Sequence, residues 1–145
     1  VREYGATNGY RGTAAYRAQV DRLQLELLAD YLELSQHQSV LLILERPEAF
    51  EQYPPSAWYH LGEAYRLRGE EEDAERAVNA YQTAVQQAPG YAPSYRALGL
   101  YYMKNNEPLL ADDYFSRYLE LQPDATDRGY IEYYRAGLKA GEGTP

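Results

Sequence analysis

One motif occurs twice in this 145-residue chain with the same internal spacing, and it restricts the fold more than any other feature. Trp58, Leu61, Gly62 and Tyr65 reappear as Tyr95, Leu98, Gly99 and Tyr102. Downstream, Ala77, Tyr81 and Pro89 reappear as Ala111, Phe115 and Pro123. In each copy the aromatic, the leucine and the tyrosine stand at i, i+3 and i+7, which is one face of a helix. Gly62 and Gly99 carry no side chain, so a second helix can approach closely there, and the small residues Ala77, Ala84 and Ala111 allow the same from the facing helix. Pro89 and Pro123 mark the end of each second helix, because proline cannot continue the hydrogen-bond ladder. Each copy therefore reads as a helix, a tight turn and an antiparallel helix.

This pattern resembles the tetratricopeptide repeat, whose signature runs aromatic-x2-Leu-Gly-x2-Tyr, then Ala-x3-Phe, then Pro. The resemblance implies an all-α fold, a right-handed superhelical array of antiparallel helix pairs (an α-solenoid), with a concave groove lined mainly by the first helix of each pair. A weaker copy precedes the other two, in which Leu25, Leu28, Ala29 and Leu32 keep the spacing with softened residue types. Its second helix is expected from about Ser39 to Tyr53, stopped by Pro54-Pro55, with Pro47 kinking or splitting it. Thr13 is a candidate N-cap, and the rhythm Val20, Leu23, Leu27, Tyr31, Leu34 predicts one long first helix. After Pro123, Asp124 or Thr126 is placed to cap a last helix carrying Tyr130, Tyr134 and Leu138 on one face, with Ile131 and Tyr133 alongside. A lone terminal helix of this kind covers apolar surface that an array would otherwise leave bare. Tyr118 stands where the first copy has Ala84, and is expected to touch this cap.

The expected organisation is a loop or extended arm over 1–12 and a helical repeat domain over 13–139. Within that domain fall a degenerate pair (13–54), two repeats (55–91 and 92–125) and a capping helix (126–139), about seven helices in all. A frayed tail over 140–145 follows. The two repeats differ in one place: Tyr65 to Ala77 spans twelve positions, whereas Tyr102 to Ala111 spans nine. The extra residues lie within Arg68-Gly69-Glu70-Glu71-Glu72-Asp73, which predicts a longer, acidic, solvent-exposed turn.

Bulk properties narrow the function. A formal charge of −8 and a pI near 4.8 oppose binding to a phosphate backbone, so nucleic acid is not an expected partner. The chain has no cysteine, which excludes disulfides, thiolate metal ligands and a thiol nucleophile. The longest apolar run, Val40 to Leu44, is far short of the roughly 20 residues that span a bilayer. The chain begins at Val1 without an initiator methionine, as expected of a piece of something larger. Tyrosine is abundant, at 17 residues against two Phe and one Trp. Its apolar ring and polar tip suit both half-buried helix contacts and binding surfaces.

No catalytic constellation emerges. His37 and His60 are the only histidines and show no metal-ligand spacing. The Asn8-Gly9-Tyr10-Arg11-Gly12 run lacks both the Lys-Ser/Thr that follows a phosphate loop and a preceding strand. The carboxylates are scattered, and Ser35, Ser39, Ser56, Ser94 and Ser116 sit in no nucleophile-elbow context. The expectation is a protein that is not an enzyme and carries no cofactor or metal.

Carried over residue by residue, the groove face implied by the resemblance falls on Glu26, Asp30 and Glu33 in the weak copy. In the first full copy it falls on Tyr59, Glu63, Arg66 and Leu67, and in the second on Arg96, Leu100, Met103 and Lys104. Such a groove is acidic toward its N-terminal end and basic toward its C-terminal end. It suits an extended or helical peptide, with Tyr59 and Leu100 as apolar contacts and Arg96 and Lys104 meeting acidic groups. Glu63 and Arg96, on adjacent helices, have the alternative of pairing with each other. Tyr59, Glu63 and Ala97 stand where a Lys/Asn/Arg clamp for a C-terminal carboxylate would sit, so that mode of recognition is not expected. The leading expectation is a scaffold that binds a protein or peptide. The runs Leu61 to Gly69 and Tyr118 to Asp124 also resemble modules that follow zinc metallopeptidase domains in bacterial envelope proteins. That likeness implies an accessory domain that recruits or positions substrate, in the periplasm or cell envelope rather than the cytoplasm. The catalytic H-E-x-x-H of those enzymes is absent here. A third expectation is self-association, with Tyr101-Tyr102 and Tyr133-Tyr134 offering apolar patches through which two copies pair.

Overall fold

A computed structural model describes residues 12–142. It is all-α: eight helices and no strand occur among the described residues. They are α1 (Ala14–Glu33), α2 (His37–Leu44), α3 (Ala49–Gln52), α4 (Ala57–Arg68), α5 (Asp73–Gln87), α6 (Ala92–Lys104), α7 (Pro108–Leu121) and α8 (Arg128–Glu142). The one helix beyond the expected seven arises at Pro47, which splits the partner helix of the weak copy into α2 and the single turn α3. The arm expected over 1–12 lies outside the described residues except for Gly12. The last helix runs on to Glu142, past the boundary read at 139, because Gly137 and Gly141 lower helix propensity without breaking the ladder. Residues 143–145 lie outside the described residues.

Helices adjacent in sequence pack on one another from α4 to α8, and α1 and α2 both pack on α4. In α4 and α5 the neighbours Arg68 and Asp73, then Gly62 and Tyr81, show residue numbers rising on one helix as they fall on the other, which makes the pair antiparallel. α7 and α8 do the same through Tyr118 with Asp127 and Asp112 with Arg135. The repeated motif is the packing seam. A Cβ built on Gly62 would lie 2.6 Å from the Tyr81 ring, and one on Gly99 would lie 2.5 Å from the Phe115 ring. Each ring therefore lies directly against bare backbone, at a separation no other residue permits. Tyr81 and Phe115 are 1% and 0% exposed. Trp58, the aromatic that opens the first motif, stacks on Phe50 of α3 with ring centroids 4.1 Å apart.

Thr13 caps α1, its Oγ1 accepting from the Tyr16 amide at 3.2 Å. The buried face of α1 is that of the weak copy: Leu28 is fully buried, with Leu25 and Leu32 packed beside it. Part of the other apolar rhythm points outward, leaving Leu23, Leu27 and Leu34 exposed. At the far end Tyr118 meets the cap as expected, its hydroxyl donating to Asp127 at 2.7 Å.

The turn between α4 and α5 differs from its expected character. Glu70, Glu71 and Glu72 are exposed, but Asp73 at the start of α5 is completely buried. Its carboxylate accepts two hydrogen bonds from Arg68, at 2.8 and 2.9 Å, one from Arg76 at 2.9 Å and one from the Glu70 amide at 3.0 Å. Arg68 foremost, then Arg76, holds the carboxyl well below the usual carboxylate range. The extra residues thus allow the turn to fold over a buried charge, which is tolerated because every lone-pair direction is answered.

Two predictions follow from these contacts. Gly99→Ala lowers stability by about 1–3 kcal/mol, because the added methyl collides with Phe115 and outweighs the roughly 1 kcal/mol that alanine gains in a helix. Gly137→Ala, where a Cβ meets nothing within 4 Å, raises it. Thermal unfolding of both variants checks this, and equal shifts would remove close approach as the reason for the glycine. Asp73→Ala lowers stability by about 1–3 kcal/mol by removing the acceptor that Arg68, Arg76 and the Glu70 amide share. Since the folded pKa of Asp73 lies below the unfolded one, its contribution is complete above about pH 4–5 and is lost as pH falls through the folded value. Urea midpoints across that range measure the loss, and Asp73→Asn flattens it.

Candidate functional site

α4 contributes Tyr59 and Glu63, and α6 contributes Arg96 and Leu100, to the walls of one opening. Between them opens a cavity of about 660 Å³ whose floor is α5. Six of the eight groove residues expected in the two full copies, Tyr59, Glu63, Arg66, Arg96, Leu100 and Lys104, line it. Met103 does not. It shares a side of α6 with Arg96, seven residues before it, but is half-buried against the core formed by α6, α7 and α8. Leu67 lies outside the cavity too. The structure adds Ala97 and Tyr101 from α6, Asn105 just after it, and Ala74, Ala77 and Tyr81 from α5. Tyr81 was legible only as a repeat-core position, and it is both core and floor.

The charges are arranged differently from the expected polarity. Glu63 and Arg96 do not pair with each other. Arg66 grips Glu63 from one turn along the same helix, with nitrogen–oxygen distances of 2.9 and 3.0 Å, and the Tyr81 hydroxyl also donates to Glu63. Arg96 reaches Asp127 at 2.5 Å, beside the Tyr118 hydroxyl on the same carboxylate. Two carboxylates are therefore each answered by one arginine and one tyrosine. Burial pushes Glu63 up, but the bonds from Arg66 and Tyr81 outweigh it and leave its pKa below the ordinary value. Burial, with Glu63 nearby, raises the Tyr59 and Tyr81 hydroxyls well above theirs. Around neutral pH the cavity thus presents fixed, mutually satisfied charges. Lys104, exposed at one end, has no ion-pair partner among the described residues. The acidic end expected from the weak copy does not reach the cavity: Glu26 pairs with Arg22 at 3.2 Å, and Asp30 and Glu33 are not on its walls.

Glu26, Arg22 and Asp21 face a second, shallow crevice between α1 and α4, whose base is His60 with Tyr91. His60 is 3% exposed, and the Tyr59 ring meets it edge-on at 5.1 Å. Burial lowers its pKa to about 4, with Glu63 opposing part of that effect. Of the tyrosine pairs expected to form patches, Tyr101-Tyr102 does not: Tyr101 lines the cavity, while Tyr102 stacks on Tyr114 and accepts from Gln82 at 2.9 Å. Among the described residues, no three His, Cys, Asp or Glu side chains converge as metal ligands. No described helix is long and apolar enough to cross a membrane.

Comparison of the chain with protein-family models and with curated proteins finds no match. The site is therefore read from its own geometry.

The buried histidine makes a measurable prediction. A histidine whose folded pKa lies below its unfolded 6.5 contributes stability that is complete above about pH 7 and is lost as pH falls toward 4. The total is on the order of 3 kcal/mol. Thermal midpoints recorded from pH 7 to 5 decline in the natural chain and stay nearly level in His60→Phe. Parallel declines in both would assign the pH dependence elsewhere.

Proposed function

We propose that this chain is a non-catalytic protein-binding module of the tetratricopeptide type, and that the cavity between α4 and α6 takes an extended or helical peptide. One observation carries the reading. Groove positions carried over from the repeat signature converge on one concave surface with apolar walls, Tyr59, Ala97, Leu100 and Tyr101, and an apolar floor. The pairing of its internal charges supports a refined account of the ligand. Arg66 and Arg96 are committed to Glu63 and Asp127, which leaves Lys104 as the cation free to meet a ligand. The peptide places an apolar side chain over Ala77 and Tyr81 and a carboxylate at Lys104. Electrostatics at such an exposed end contribute register and on-rate more than raw affinity.

The test is selection from a displayed random-peptide library against the folded chain, followed by affinity measurement by fluorescence polarisation. Enriched peptides are expected to carry Asp or Glu beside a bulky apolar residue. Lys104→Glu weakens them about tenfold, equivalent to ~1.4 kcal/mol, and Ala97→Glu abolishes binding by filling the wall. Arg96→Glu, by contrast, would repel Asp127 and loosen the connection that leads into α8. Binders indifferent to both Lys104→Glu and Ala97→Glu would remove the cavity from consideration.

A further inference from the structure

Helix α8 has two apolar sides, and only one is used. Ile131, Tyr134 and Leu138 face the core against α7. Successive residues turn by about 100°, which brings Tyr130, Tyr133, Ala136, Gly137 and Ala140 onto an adjoining side, beginning next to Tyr134, as one stripe that contains no charge. All five are exposed, Tyr130 at 71% and Tyr133 at 74%, the latter the second most exposed large apolar side chain after Leu42. Two tyrosine rings in full contact with water forgo most of their burial energy. A glycine inside a helix costs about 1 kcal/mol relative to alanine. At Gly62 and Gly99 a ring lying on the backbone explains that cost, but a Cβ on Gly137 would meet nothing within 4 Å. Nothing within the described residues accounts for either feature.

The stripe is complementary to itself. Its rings lie in the N-terminal half of α8 and its gaps in the C-terminal half. A second α8 laid antiparallel across it sets Tyr133 over the partner's Gly137 and Tyr130 over the partner's Ala140, and by symmetry the reverse. One edge of the stripe carries Glu132 and Lys139, and a two-fold axis brings that edge against itself with Glu132 beside the partner's Lys139. Lys139 has no ion-pair partner among the described residues, while Glu132 holds only the half-exposed Arg128 at 2.7 Å. Shape and charge thus agree on one register. We propose that a second copy of this chain covers the stripe, forming an antiparallel α8 pair. A single 15-residue helix face is smaller than the roughly 800 Å² per partner of a standard interface, so the dimer is weak and depends on concentration. It is independent of the peptide cavity, which lies on α4, α5 and α6.

Sedimentation equilibrium over a wide concentration range tests this. The natural chain is expected to pass from monomer to dimer, and Tyr133→Glu to raise the dissociation constant at least about tenfold. Glu132→Lys and Lys139→Glu each weaken the dimer, and the two together restore it, an outcome that loss of folding or general stickiness would not produce. Lys104→Glu leaves dimerisation unchanged whether or not the cavity binds peptides. A chain that stays monomeric throughout would overturn the proposal, as would a dimer indifferent to Tyr133→Glu. Mass growing beyond two protomers would also overturn it, pointing to a head-to-tail contact with the exposed leucines of α1. Failure of the double charge exchange to restore the dimer would sink the antiparallel register.

Discussion

The aromatic ring laid on a bare glycine is the contact from which the rest of the molecule is measured. Tyr81 on Gly62 and Phe115 on Gly99 set how closely the helices of each pair approach, and both rings are buried. Protein interiors pack at crystal-like density and cannot absorb a misplaced methyl without moving neighbours. Fixing this separation twice, at equivalent positions, gives the two pairs closely similar shapes. Side chains of α4 and α6 meet across the face of α5. The cavity between them is a consequence of that geometry: small residues on α5, Ala74 and Ala77, line its floor together with Tyr81 itself.

A second economy governs the charges. The chain is strongly acidic, yet the carboxylates that enter the interior do so with their counter-charges. Asp73 is wrapped by Arg68, Arg76 and a backbone amide, and Glu63 and Asp127 each draw one arginine and one tyrosine hydroxyl. The abundant tyrosine gains meaning here. Phenylalanine at 118 would fill the same volume but leave Asp127 Oδ1 without its side-chain donor, and at 81 it would remove one of the two donors to Glu63 Oε2. Because these groups satisfy one another, the walls are electrostatically quiet. The cation left over, Lys104, stands out for that reason.

The first and last described helices are finished differently. At the N-terminal end α1 turns Leu23, Leu27 and Leu34 outward among charged neighbours. At the C-terminal end α8 turns out tyrosines and small residues with no charge among them. An end helix has neighbours on one side only, so its outer face records what else, if anything, the protein must meet. A self-complementary outer face and a concave inner one are compatible, since they lie on different helices.

Much of this was legible in the sequence, and the part that was not has a common cause. The helices, the split at Pro47, the cap at Thr13, the close approach at both glycines and six of the cavity side chains all follow from the 3.6-residue period and from what glycine and proline do to a backbone. Those rules are local and act within a turn or two. Met103 was misplaced because it shares a side of its helix with Arg96, and only the packing of α7 and α8 draws it into the core. The burial of Asp73, the diversion of Arg96 to Asp127 31 residues away and the bond from Tyr81 to Glu63 across 18 residues were invisible. A long side chain takes whichever partner the fold brings within reach, and sequence separation does not rank those choices. The sequence by itself determined the helices, their pairing and the faces they bury. Only the tertiary structure decided which charges are already satisfied and which apolar faces remain uncovered, because both depend on contacts between residues far apart along the chain.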